Sequence, residues 1–146
     1  MYSFIVEGEA VPKQRPRVSG KHAYTPKKTR DYQERVKVSF RSGYSGQVPA
    51  FTQGASVRVT IDVAQAIPKS WSKAKTLRAE NGDIVPTGRT GDLDNIAKSI
   101  LDALNGLAYE DDCQVTTLII TKHYGDAPRA LIRLEGDTHE RKYGVL

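Results

Sequence analysis

The chain has 146 residues, enough for one domain that buries about two-thirds of the surface its unfolded form exposes. Its 22 lysines and arginines outnumber 17 acids for a formal net charge of +5, which favours a polyanionic partner such as nucleic acid. A single cysteine, Cys113, excludes an internal disulfide framework and a multi-thiolate zinc site and suits a reducing cytoplasm. No apolar run approaches the roughly 20 residues of a membrane-crossing helix, and the N-terminus lacks a signal-peptide layout, so the expectation is a soluble cytoplasmic protein with no membrane partner.

In chain order, residues 2–6 are aromatic and β-branched and predict a strand. The segment 11–21 carries Pro12 and Pro16, which remove backbone donors and favour an extended surface arm. Lys13, Arg15 and Arg17 alternate along it, so an extended path projects all three to one side, as a comb suited to a phosphate backbone. Thr25 followed by Pro26 reads as a cap and first helical residue, opening a helix over 26–40 with Tyr32, Val36 and Phe40 as its apolar stripe. Residues 42–54 form a connector. Val57, Val59, Ile61 and Val63 alternate with more polar residues and predict a strand over 56–66. Ser70 reads as the cap of a short basic helix reaching Glu80, with Lys69 and Lys73 near its start. A loop over 83–91 carries Arg89. After a third helix, residues 114–124 read as a strand apolar on both parities and therefore covered on both faces, and 130–134 as a further strand. The tail, 136–146, reads as polar and loose. The order β-α-β-α-α-β-β predicts an α+β fold with a mixed sheet, as one domain over 1–146.

The chemistry concentrates in Gly91-Asp92-Leu93-Asp94-Asn95 and in Tyr109-Glu110-Asp111-Asp112. In an extended segment Asp92 and Asp94 share a face, an arrangement that suits a hard divalent cation such as Mg²⁺, which takes oxygen ligands. Asp94 also reads as the N-cap of a helix starting at Asn95, whereas a cap role does not account for Asp92. That helix buries Ile96, Ile100, Ala103 and Leu104 and stops at Gly106. Lys98, one turn past Asp94, reads equally as an ordinary helix ion pair or as a cation beside a metal site. Asp111 and Asp112 are neighbours, so only one of them readily joins the other acids. Convergent carboxylates repel and raise one another's pKa, and a cation relieves that. Cys113 has no nearby histidine to activate it and reads as a small buried side chain; His22, His123 and His139 show no ligand spacing. No phosphate-binding glycine loop or dinucleotide fingerprint is present, so no nucleotide cofactor is expected.

The blocks Asp92-Leu-Asp-Asn-Ile-Ala-Lys98, Leu101-Asp-Ala-Leu-Asn-Gly106 and Tyr109-Glu-Asp-Asp112 resemble the signature of the RusA-type Holliday junction resolvases of bacteria and their prophages. Pro12-Lys-Gln-Arg-Pro-Arg17, Tyr24-Thr-Pro-Lys-Lys-Thr-Arg30 and Pro68-Lys-Ser-Trp-Ser-Lys73 resemble N-terminal parts of a subgroup, so that the likeness covers residues from about 5 to 125. The resemblance implies a homodimeric, Mg²⁺-dependent endonuclease that nicks four-way DNA junctions symmetrically in recombination and repair. It matches Asp92, Asp94 and Asp112 to catalytic, metal-holding aspartates, Lys98 to the family's important lysine, and Asp111 to the paired-acid motif. Members often carry basic or Lys-Pro residues directly before the first acid; here Thr90-Gly91 stand there, with Arg89 one step back.

The expected function is thus a branched-DNA endonuclease, with Lys13, Arg15, Arg17, Lys69, Lys73 and Arg89 gripping DNA. The rivals are a catalytically inactive junction- or duplex-binding module, a broader branched-DNA nuclease, and a metal-dependent phosphohydrolase of small nucleotides, against which the basic arm argues.

Overall fold

The alternating residues Val57, Val59, Ile61 and Val63 are all buried, and the strand they define runs through the middle of a mixed sheet. The structure, a computed structural model, describes residues 1–88 and 92–137, the Arg17 side chain excepted. In chain order its elements are β1 (Tyr2–Glu7), β2 (Arg17–Ser19), β3 (His22–Tyr24), α1 (Lys27–Gly43), β4 (Val57–Ala66), α2 (Lys73–Glu80), α3 (Leu93–Ala103), a 3₁₀ turn (Asp112–Gln114), β5 (Val115–Gly125) and β6 (Arg129–Gly136). The main sheet has the order β1-β6-β4-β5, with β4 and β5 parallel and the other pairs antiparallel. This is the expected α+β class with a mixed sheet.

The helices cover one face of that sheet. Tyr32, Val36 and Phe40 from α1 and Ile96, Ile100, Ala103 and Leu104 around α3 join Phe4, Val6, Ile61, Ile132 and Leu134 in one hydrophobic cluster. Gln33 Nε2 ties α1 to α3 by donating to the Ser99 carbonyl (3.2 Å). The opposite face, with Ser3, Glu7, Arg58, Arg129 and Arg133, is open to solvent. Burial on one side only is what the period-two pattern of β1, β4 and β6 dictates.

Several expectations change. The arm is not a free loop: Ala10 and Val11 are buried, Lys13 N donates to the Asn95 carbonyl (2.8 Å), and β2 and β3 form an antiparallel hairpin absent from the expected order. Gly20 at its turn has φ +62°, a left-handed conformation that glycine adopts without strain. α1 is preceded by Pro26 at the N-cap position, not by Thr25. Ser72, not Ser70, caps α2, accepting from Lys75 N (3.2 Å). β5 is an edge strand with no fully buried residue, not a strand covered on both faces. Gly136 ends β6, and Asp137 is held by its N–H to the Ser56 carbonyl (2.9 Å); residues 138–146 lie outside the described residues.

Because the α3 stripe anchors that helix to the sheet, Ile100→Ala is expected to cost about 2–5 kcal/mol of stability, read as a lower urea midpoint at unchanged m-value. An unchanged midpoint would mean that α3 is not part of the cooperative core.

Candidate active site on helix α3

Asp92, rather than Asp94, occupies the N-cap position, and the helix begins at Leu93. The Asp92 carbonyl accepts the first helical bond from Ile96 N (3.0 Å), but its carboxylate does not cap the backbone. It accepts instead from Asn95 Nδ2 (2.9 Å). The first turn thus carries Asp94 two residues on, so the two acids stand together on a bend into the helix and not along an extended strand. Both are exposed.

Their carboxyl groups interact with each other. That contact, with burial second, raises the pKa of Asp92, and it is the largest cause of a lowered pKa at Asp94. The two acids thus act as one electrostatic pair. Two lysines attend it: the charge of Lys98, one turn along α3, lowers Asp94, and that of Lys122, from β5, lowers Asp92. The helix N-terminus adds its positive dipole end to the same spot. An exposed pair of carboxylates, offering oxygen donors only, fits a hard divalent ion.

A second acidic group lies at the other end of α3. Asp102 is eight residues beyond Asp94, which at about 1.5 Å per residue is on the order of 12 Å along the axis. Asp112 is beside Asp102, and its pKa is raised by burial first, then by a hydrogen bond with Asp111 and by the charges of Asp102 and Asp111. Asp111 is the N-cap of the 3₁₀ turn, its carboxylate accepting from Cys113 N (3.4 Å) in a capping box with Gln114. Cys113 is exposed rather than buried, and burial with the nearby acids pushes its thiol pKa up, away from nucleophilic character. Asp112 therefore does not stand with Asp92 and Asp94. Among the described residues, no group of three or more His, Cys, Asp or Glu side chains is placed to hold one metal ion.

The basic residues divide. Lys13 does not project into solvent as a tooth of a comb; it is ion-paired with Asp102, which ties the arm to α3. The reason is the backbone bond of Lys13 to Asn95, which lays the arm across the helix and brings its ammonium to the second acidic group. Arg15, Lys69 and Lys73 are exposed. The side chain of Arg17 and the whole of Arg89 lie outside the described residues. His22 is exposed on β3, His123 Nε2 meets Asp62 Oδ2 at 3.0 Å, and His139 lies outside the described residues.

Three functional neighbours escape sequence reasoning. Lys122 reaches Asp92 only because β5 runs parallel to β4 beneath α3. Asp102 reads in sequence as an ordinary helix acid. Gln114 fixes the whole turn: its Nε2 donates to the Thr52 (2.9 Å) and Ala55 (3.1 Å) carbonyls, while its Oε1 accepts from the N–H groups of Glu110 (3.0 Å) and Asp111 (3.3 Å). The acid-x-x-Gln spacing of a capping box was the available signal. Tyr109, wholly buried, donates its hydroxyl to the Leu101 carbonyl (2.8 Å) and so holds this turn against α3.

Exposed paired carboxylates at a helix N-terminus, attended by lysines on a frame with basic loops, are the equipment of an enzyme that works on phosphodiesters. The model of one family, described as endodeoxyribonuclease RusA, matches residues 7–135. The chain belongs to that family, the RusA-type Holliday junction resolvases. It is also similar to a Bacillus subtilis (strain 168) protein described as uncharacterized protein YqaN, with 36% identity over 137 residues covering 90% of this chain and 93% of that protein. No described helix is long and apolar enough to cross a membrane.

The raised pKa of Asp112 has a consequence for stability. A carboxyl whose folded pKa exceeds its unfolded value contributes stability that is full below the ordinary carboxylate range and is lost as pH rises through the folded value. Asp112→Asn, which keeps the shape and removes the charge, is therefore expected to raise Tm at neutral pH, and the gain should shrink towards zero below about pH 4. A variant with lower Tm than the parent at neutral pH would contradict this.

Proposed function

We propose that the protein is a Mg²⁺-dependent endonuclease that resolves four-way DNA junctions by paired nicks, acting as a homodimer in recombination and repair. The observation that carries this reading is the exposed Asp92–Asp94 pair at the start of α3, attended by the charges of Lys98 and Lys122. Two adjacent carboxylates repel, and a divalent cation relieves that repulsion. Membership of the RusA endodeoxyribonuclease family supports the same reading.

Asp92 and Asp94 would hold Mg²⁺ through their oxygens, leaving its other positions to water and phosphate oxygens. When bound, the ion would supply a water of lowered pKa and neutralise charge on the scissile phosphate. Acid conditions, which protonate the carboxylates, would oppose loading. Lys98 and Lys122 would stabilise negative charge developing on the phosphate. Asp112 is proposed as a further catalytic carboxylate. In this structure it stands with Asp102 and Asp111 at the far end of α3, so its contribution requires the DNA-bound assembly. Asp111 is proposed to act mainly through its cap, and Lys13 through its bond to Asp102 as a positioning residue. Arg15, Arg17, Lys69, Lys73 and Arg89 are proposed to contact DNA phosphates, which makes binding weaken steeply with salt. Two nicks in a nearly two-fold symmetric junction call for two sites, hence a symmetric dimer.

The test uses synthetic four-way, Y-shaped and linear duplex DNA with and without Mg²⁺. The expected result is symmetric paired nicks in the four-way substrate, none without the metal, and an Asp94→Asn loss of about a hundredfold or more in cleavage rate at unchanged junction affinity. Equal cleavage of Y-shaped DNA would instead indicate a broader branched-DNA nuclease. Unaltered cleavage by Asp94→Asn, or none by the parent, would sink the metal assignment or the enzyme reading respectively.

A further inference from the structure

β5 is out of place for its sequence. Its apolar residues fall on both parities, as in an interior strand, yet it lies at the edge of the sheet with β4 as its strand neighbour among the described residues. Leu118 and Ile120 pair with Val59 and Ile61 and so face the helices, whereas Ile119 pairs with Thr60 and faces the open side. Leu118 and Ile119 are 41% and 40% exposed. The other edge, β1, alternates buried and exposed residues, as suits a strand with one solvated face. Proteins usually blunt a long edge with proline, a bulge or shortness. β5 is 11 residues long, contains no proline, and its one register shift against β4 falls at the very start, between Val57 and Arg58.

The residues along this edge are self-complementary. Thr117-Leu118-Ile119-Ile120-Thr121 reads the same in both directions by chemical class: threonine, aliphatic, isoleucine, aliphatic, threonine. We propose that β5 pairs antiparallel with β5 of a second copy about a two-fold axis at Ile119, joining the two sheets edge to edge. The proposal rests on the homodimer reading above and names its contact surface.

In this register Ile119 opposes Ile119 on the open face, Leu118 opposes Ile120 on the helix face, and Thr117 opposes Thr121. Thr116 opposes Lys122. The Thr116 and Thr117 hydroxyls both donate to Asp137 Oδ2 (2.7 and 2.6 Å), which satisfies the start of each strand within its own copy. Moving the axis one residue, to Ile120, would set Ile119 against Thr121 and Leu118 against Lys122, losing both apolar matches. The ladder spans 115–123 and stops short of Tyr124, where Trp71 packs at a ring separation of 5.2 Å. Symmetry is what singles out a second copy as the occupant: an unrelated peptide strand needs no palindrome.

The test combines cross-linking with mass measurement. In a Cys113→Ser background, Ile119→Cys places two cysteines opposite each other at a Cα separation of about 4.5–5.5 Å, within disulfide range. Mild oxidation is expected to convert it to a covalent dimer, while Val38→Cys, exposed on α1, stays monomeric on a non-reducing gel. Ile119→Lys is expected to halve the sedimentation mass of the parent with an unchanged far-UV circular dichroism spectrum. Cross-linking at 119 no faster than at 38, or an Ile119→Lys protein that remains dimeric, would overturn this surface. A parent that is monomeric at micromolar concentration would overturn it together with the homodimer reading. None of these outcomes touches the nuclease reading, whose failure would show separately as an uncleaved junction.

Discussion

The structure depends on how α3 is buried. Ile96, Ile100, Ala103 and Leu104 are almost wholly excluded from water, and they press the helix onto the sheet between α1 and β5. Burying that stripe fixes which residues the helix must leave outside. Asp92, Asp94 and Lys98 emerge at its start and Asp102 at its end, so the acids are held by the core without belonging to it. Anchoring by packing leaves the carboxylates free of structural duty: Asp92 stands at the N-cap position without capping, and Asp94 rests beside it. A site built this way can be repelled by its own charge and still stay in place, because the apolar face supplies the stability that the acids remove.

The two ends of the helix are managed differently. At the N-terminal end the repulsion is moderated by the charges of Lys98 and Lys122. At the C-terminal end Lys13 neutralises Asp102 directly, Tyr109 pins the following turn, and Gln114 and Asp111 lock it by their reciprocal cap. The first end is the one proposed to accept a cation. The second is a braced structure in which Asp112 still carries an elevated pKa. This contrast explains why family resemblance alone, which places Asp92, Asp94 and Asp112 in one functional set, does not describe their positions in a single chain.

The sheet and the three helices were legible because their apolar periodicity is long and unbroken, as at Val57, Val59, Ile61 and Val63 or along the α3 stripe. The β2–β3 hairpin was not, since its strands are three residues each and their described side chains are exposed, burying nothing that could imprint a pattern. The acid pair and Lys98 were visible as spacing within one turn of helix. Lys13 was misread because its partner, Asp102, is 89 positions away, and an alternating basic arm looks the same whether it is free or pinned. Lys122 was missed for the same reason: only the parallel crossover to β5 carries it under α3. The apolar content of β5 was read correctly, but its place at the edge depends on strand order, which local pattern does not encode.

The central claim is that Asp92 and Asp94 together hold a divalent cation, and direct Mn²⁺ binding measured by calorimetry tests it without reference to activity. The account predicts saturable binding to the parent and to the surface control Asp62→Asn, with binding lost in Asp92→Asn and in Asp94→Asn while their spectra remain native. Parent-like binding by folded Asp94→Asn, or no binding by the parent, would contradict it.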